Sequence, residues 1–368
     1  MTAAGFAIRN AFLLTTELLS FSPTSMRAKP LALAAGLLLA PTLVSPPPPG
    51  ARAQSGRGGQ NPVFVETQGN ASSFSGQRAY EHVKRLVEFG PRPSGSKELA
   101  LARKYILEQL GGRDAPRPHA RGSKELTLRE DEWAADTPAG RLKMVNIIYE
   151  LPGESDDTVI IAGHYDTKRY KEFAFVGAND GGSSAGALIE IARALRDSGA
   201  PRRFTYRLVF FDGEEAVCRE WDECSKPGRP DNTYGSRYEV GRLQARDRLQ
   251  KVRALILLDM VGYDKLELGR DDMSTPWLVD ILWRTARELG YSRQFVERAE
   301  AVGGDDHAPF LRAGVPSVDL IQLSTYPHWH TPEDTLDKIS PHSLKAVGDV
   351  VLASLPRVEE KLKKGVGG

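Results

Sequence analysis

The sequence predicts an α/β fold: a three-layer sandwich in which a central, mostly parallel, twisted mixed sheet carries helices on both faces. Three observations lead there. Apolar, β-branched runs alternate with stretches of helical apolar spacing along most of the chain. The runs are continuous, as expected of strands covered on both sides. They also stop on carboxylates and imidazoles, at the strand ends where open α/β sheets collect ligands.

In chain order, "GQRAYEHVKRLVEFG" (76–90) has helical spacing and ends at Gly90, before the turn "PRPSGS" (91–96). Residues 97–110 give a second amphipathic helix, and 111–139 are polar and irregular, a loop or hairpin. "LKMVNIIYEL" (142–151) and "DTVIIAGHYD" (157–166) read as strands. A glycine-rich turn at 177–186 opens a helix over 187–195. "YRLVFF" (206–211) and "ALILLDM" (254–260) are buried strands, and 275–290 is a helix stopped by Gly290. "VPSVDLI" (315–321) is a further strand, and 341–361 the closing helix. We find no internal repeat and no second domain in the sequence.

The N-terminal part is different material. From Met26, Arg27 and Lys29 form a basic region, 31–44 an apolar region, and "ARA" (51–53) a small-residue cleavage site. We expect residues 1–53 to be a signal-peptide region whose true start is Met26. Residues 54–75 should be a flexible polar leader, and 76–368 one catalytic domain. An uncleaved membrane anchor is the alternative, but the apolar stretch is short for a span. The mature chain is therefore expected to be exported, periplasmic or secreted. With 49 basic and 48 acidic residues there is no broad field to recruit nucleic acid. Two cysteines are too few for a disulfide scaffold or a thiolate metal site.

The polar strand ends carry the chemistry. His164 and Asp166 follow one strand, Asp180 lies in the next turn, and Glu214 and Glu215 follow "YRLVFF". Asp259 ends another strand, and His330 follows "VPSVDLI". Singly, each could be a core histidine or a turn-forming acid. Together they form a nitrogen-and-carboxylate set suited to catalytic zinc. Adjacent glutamates do not easily bind one ion, so one is expected to ligate and the other to move protons.

"GHYDT", "GANDGGSS", "FFDGEEA", "LLDMVG", "DDHAPFLRAGVP" and "HWHTPEDT" resemble the zinc exopeptidase superfamily, which includes co-catalytic aminopeptidases and animal-type glutaminyl cyclases. The resemblance runs from about Gln77 to the closing helix and implies a zinc exopeptidase-like fold. In the aminopeptidase pattern two zincs would use His164, Asp180, Glu215, Asp259 and His330. In the cyclase pattern one zinc would use Asp180, Glu215 and His330, leaving Glu214, Asp259 and Asp305 as an acidic catalytic network. His164 and Asp259 would then be possible ligands of a second site.

The neighbouring residues favour the cyclase branch. "FFDGEEAV" followed by Trp221 and "YGSR" (234–237), the doubled acid giving Asp305, "KRYKEF" (168–173), and Trp329 beside His330 all resemble the cyclases. Gly163 departs from it, standing where many cyclases have cysteine, and the loop to Trp221 is about one residue longer. The resemblance implies Trp221 and Trp329 as pocket walls. It implies peptide or protein substrates with N-terminal glutamine, and no nucleic acid. We further expect no membrane partner once the signal is removed, and a monomer. A di-zinc aminopeptidase and a non-catalytic ectodomain of the same fold are the alternatives. Cys218 and Cys224 flank Trp221 in an exported chain and are expected to pair, although so tight a loop could instead hold two free thiols.

Overall fold

A computed structural model describes residues 74–111 and 126–364. The expected signal region and residues 54–73 of the leader lie outside them. The first helices are α1 (Gly76–Glu88) and α2 (Lys97–Gly111). Then come β1 (Thr127–Thr137), β2 (Gly140–Leu151), β3 (Thr158–His164), α3 (Gly182–Asp197) and β4 (Thr205–Phe211). The middle of the chain gives α4 (Tyr234–Ala245), β5 (Val252–Asp259), β6 (Leu268–Asp271), α5 (Pro276–Glu288) and β7 (Phe295–Glu300). It closes with α6 (His307–Arg312), β8 (Ser317–Ile321) and α7 (Pro341–Lys363).

Six strands form one sheet in the order β1-β2-β4-β3-β5-β8. β4, β3, β5 and β8 run parallel, and β2 joins β4 antiparallel. The irregular segment resolves into β1, hairpin partner of β2. Side chains of the parallel strands alternate between two cores. Val159, Ile161, Leu208, Phe210, Ile256 and Leu258 pack on the side of α1, α3, α5 and α7. Ile160, Ala162, Val209, Phe211, Leu255 and Leu257 pack with Val240 of α4 and Phe310 of α6. That is the three-layer arrangement: a sheet apolar on both faces needs a helical cover on each.

Two boundaries differ from the sequence reading. Phe74 and Ser75 belong to the folded body: Phe74 is buried and Ser75 caps α1, its hydroxyl accepting from the Arg78 N–H. α3 starts at Gly182, within the stretch read as a turn, because glycine there serves close packing. A Cβ on Gly186 would lie 2.6 Å from Val83 Cγ2 and 2.8 Å from the Ala79 carbonyl, so α1 crosses α3 where no side chain fits.

The "PRPSGS" turn holds a fully buried arginine. The Arg92 guanidinium donates to the carbonyls of Leu86, Gly90, Tyr165, Val176 and Gly177 at 2.8–3.4 Å. It ties the end of α1 to the exit of β3 and to the turn that leads into α3.

Candidate active site

Register sets the site. His164, the last residue of β3, is paired with Phe211, the last of β4, and Asp259 closes β5 opposite Ile321 of β8. Three parallel strands thus stop at one edge, and the next residues of each enter the same space. After β4 the chain turns through Gly213 at φ +75°, a left-handed conformation that favours glycine. A Cβ there would also meet Met144 Sδ at 2.8 Å. The turn brings Glu214 and Glu215 back over the strand ends. Asp166 fixes them, its two oxygens accepting the Glu214 and Glu215 N–H groups at 3.2 and 3.4 Å.

Asp180 sits in the turn before α3. Asp334 holds that turn, accepting the N–H groups of Asn179 at 2.8 Å and Asp180 at 3.1 Å. Tyr326 donates its hydroxyl to the same carboxylate at 2.6 Å. His330 and Met260, the residue after Asp259, both take left-handed φ values, +55° and +46°. Such conformations are uncommon outside glycine and cluster where surrounding structure holds a functional group in place.

Two overlapping donor sets result. His330 Nε2 lies 3.4 Å from Asp180 Oδ2 and 3.3 Å from Glu215 Oε2. His164 Nε2 lies 3.3 Å from Asp180 Oδ1 and 3.1 Å from Asp259 Oδ1. Asp180 belongs to both. Both Glu215 oxygens and Asp180 Oδ2 are buried without a hydrogen-bond donor. Buried acceptors of that kind ask for a cation. Burial works to lower His330, yet Glu215 and Asp180 outweigh it and raise the imidazole to about 10. Burial works to raise Asp180, yet His164 and His330 hold it well below the usual carboxylate range. Positive charge is favoured among these three groups, and a divalent ion would supply it. Asp180, Glu215 and His330 therefore fit a metal.

Glu214 is different. Burial pushes its carboxyl well above the usual range; His164 opposes this, and the charges of Glu215, Asp305 and Asp259 reinforce it. Burial likewise raises Asp259, to about 7. Glu214, Asp259 and Asp305 line a cavity of about 180 Å³ together with Asp180, Glu215 and His330. Trp221, Trp329, Met260, Val302, Ile321 and Leu323 supply its apolar walls. Trp329 stacks on His330 with ring centroids 4.3 Å apart, while Tyr170 and Phe175 meet the imidazole edge-on. Cys218 and Cys224 form a disulfide with Cα atoms 6.0 Å apart, so the pairing expected from the sequence is present.

The acids, His330 and the two tryptophans singled out in the sequence thus meet at one cavity, with His164 directly beside it and Asp166 beneath Glu214 and Glu215. Others escaped notice. Lys168 is buried, donates to the Ala216 carbonyl at 2.7 Å and lies 3.9 Å from Glu215 Oε2. Behind Asp305, the buried His307 lies between Asp271 Oδ2 at 3.3 Å and Asp319 Oδ2 at 3.4 Å. Asp319 left a signal, being a carboxylate inside the apolar run "VPSVDLI".

Residues 146–355, more than half of the chain, match peptidase family M28. The chain belongs to that family. This M28 chain is 30% identical to a glutaminyl-peptide cyclotransferase-like protein of Mus musculus over 301 residues, 71% of each chain. Among solved structures it is similar to an Acidobacteriales bacterium glutaminyl cyclase, with TM-score 0.70 and 35% identity, over 84% of this chain and all of that one. It is also similar to a leucine aminopeptidase precursor of Bacteroides thetaiotaomicron, with TM-score 0.68 and 27% identity, over 78% and 98% of the two chains. Both enzyme names thus occur among relatives of one M28 fold, and the site must distinguish them.

Proposed function

We propose that this chain is a zinc-dependent glutaminyl-peptide cyclotransferase that converts N-terminal glutamine of peptides to pyroglutamate and releases ammonia. One observation carries the reading: a small tryptophan-walled cavity in which a metal-capable triad faces a separate carboxyl group, Glu214, that burial makes a stronger base than an exposed glutamate. A glutaminyl side chain fits such a space, and the apolar walls exclude water that would otherwise hydrolyse the amide. The resemblance to the cyclases named above supports the same assignment.

Asp180, Glu215 and His330 would hold the zinc. When bound, it supplies a Lewis acid for the γ-carboxamide oxygen. Glu214 takes a proton from the substrate's α-ammonium group, freeing the amine to attack the γ-carbon, and returns a proton to the nitrogen that leaves as ammonia. Asp259 and Asp305 keep Glu214 in an acidic neighbourhood where a proton can be shared. Trp221 and Trp329 orient the side chain. Export of a monomeric chain, through the signal-like N-terminal region, completes the proposal; among the described residues no helix is long and apolar enough to cross a membrane.

The aminopeptidase reading rests on His164, Asp180 and Asp259, which could take a second ion. Against it, His164 and Asp259 already satisfy each other at 3.1 Å. The test is to incubate the purified protein with a glutaminyl peptide and an aminoacyl-anilide, and to measure metal content after dialysis. We expect pyroglutamate formation and a zinc ratio near unity. Anilide cleavage that tracks a second equivalent of zinc would reverse the assignment.

A further inference from the structure

The loop that carries Trp221 to the cavity has little of its own to hold it there. Between Cys218 and Cys224 the sequence is "REWDE", and all four residues other than the tryptophan are exposed and charged. No second apolar side chain anchors it. It contains no helix or strand, only turns. Local turn bonds shape it: the Glu220 N–H donates to Glu223 Oε2 at 3.2 Å, the Glu223 N–H to the Glu220 carbonyl at 3.3 Å and the Ser225 N–H to the Asp222 carbonyl at 3.1 Å. Its polar ties to chain beyond the loop run from the Cys218 N–H to Asp231 Oδ2 at 2.8 Å and from Asn232 Nδ2 to the Trp221 carbonyl at 3.2 Å. An Arg219–Glu172 ion pair at 2.9 Å is exposed on both sides, and such pairs hold little. The Asp231 and Asn232 contacts engage the loop's first half and its tip. The return half, through the exposed Asp222 and Glu223, has only these solvent-facing turn bonds besides the disulfide that closes it.

We propose that the Cys218–Cys224 bridge is a determinant of substrate affinity, because it closes the loop that holds Trp221 as a wall of the glutamine pocket. This rests on the cyclase reading above. The metal-capable triad, Glu214, Asp259 and Asp305 stand on strand ends and tight turns outside the bridged loop, so opening it leaves them in place. Reduction by a small dithiol moves two electrons and two protons onto the cysteine sulfurs, giving two thiols and the oxidised cyclic reagent. The reduced loop then visits the closed arrangement only part of the time, and apparent affinity falls by that fraction. If the closed form is populated about a tenth of the time, KM rises about tenfold while kcat changes little.

The experiment compares steady-state cyclisation of a glutaminyl dipeptide by three forms: oxidised protein, protein reduced by dithiol and then freed of it, and the Cys218→Ser/Cys224→Ser variant. Zinc content and thermal midpoint are measured for each. We expect the last two forms to keep their zinc and their kcat and to share a raised KM, with reoxidation of the reduced wild type restoring the original value. A Trp221→Ala variant should start with the raised KM and not respond to reduction. Cyclisation with equal KM in oxidised and reduced protein overturns the proposal alone, as does a fall in kcat at constant KM. Absence of cyclisation in every form removes the activity reading and this proposal with it.

Discussion

Glu214 and Glu215 are chemically identical and one peptide bond apart, yet the site separates them. Both Glu215 oxygens are buried without a donor, and Oε2 lies 3.3 Å from His330 Nε2. Glu214 faces the acids Asp259 and Asp305 across the cavity. Substitution by the neutral isostere should therefore give opposite results. Glu214→Gln is expected to retain zinc and lose cyclisation by about 10²–10⁴-fold, the usual share of general acid–base catalysis. Glu215→Gln is expected to purify with little zinc, since a neutral amide is a poor ligand. Elemental analysis beside a rate measurement decides it: a zinc-free Glu214→Gln protein, or one turning over at the wild-type rate, would show that the roles are misassigned.

At the scale of elements, the pairing of α1 with α2 contains a pH-sensitive joint. His82 of α1 meets the Tyr105 hydroxyl of α2 at 2.7 Å, and burial lowers its imidazole from 6.5 to about 4. Between those values the unfolded chain binds a proton that the folded chain refuses, so stability rises with pH across this window. The contribution is complete above about pH 6.5 and is lost as pH falls toward 4, by roughly 3 kcal/mol. Denaturant unfolding of wild type and His82→Phe at several pH values should show the variant's slope in this window reduced by up to one proton. Identical slopes would mean that His82 titrates alike in both states.

The elements also explain what could be read from sequence. β3, β4 and β5 were legible because strands covered on both faces become uninterrupted apolar runs, and their polar ends pointed directly to His164, Glu214, Glu215 and Asp259. β1 was not legible. Its partners lie on one side only, and "TLREDEWAADT" places charge along a half-exposed edge, a pattern that looks like a loop and guards a sheet edge from unwanted pairing. α4 was missed because "YGSRYEVGRLQA" contains two glycines and buries Ser236 and Glu239 beside Val240 and Leu243. Asp334 lay within a motif already noted, but an acid in a turn has an ordinary explanation. Only its contacts with the Asn179 and Asp180 N–H groups make it part of the site.

For the whole molecule, the buried acids at the sheet edge make stability depend on what neutralises them. A metal bound only by the folded chain adds RT ln(1 + [L]/Kd), about 2.7 kcal/mol at a hundredfold excess over Kd. Chelation is expected to abolish activity and lower the thermal midpoint by several degrees, with one equivalent of zinc restoring both. A calorimetric scan that does not move on chelation would show that the triad holds no ion.

Arg92 bears on the order in which the molecule assembles. Its acceptors come from three pieces of chain: the end of α1, the exit of β3, and the 176–177 turn. No one or two of these pieces can satisfy the guanidinium, so its interactions complete only once all three have docked. Groups satisfied after the rate-limiting barrier influence unfolding rather than folding. Arg92→Met should thus refold at nearly the wild-type rate but unfold faster, as stopped-flow measurements can test. The turn that presents Asp180 follows two of the same carbonyls, so the faster opening expected of Arg92→Met should reach the metal-binding edge as well.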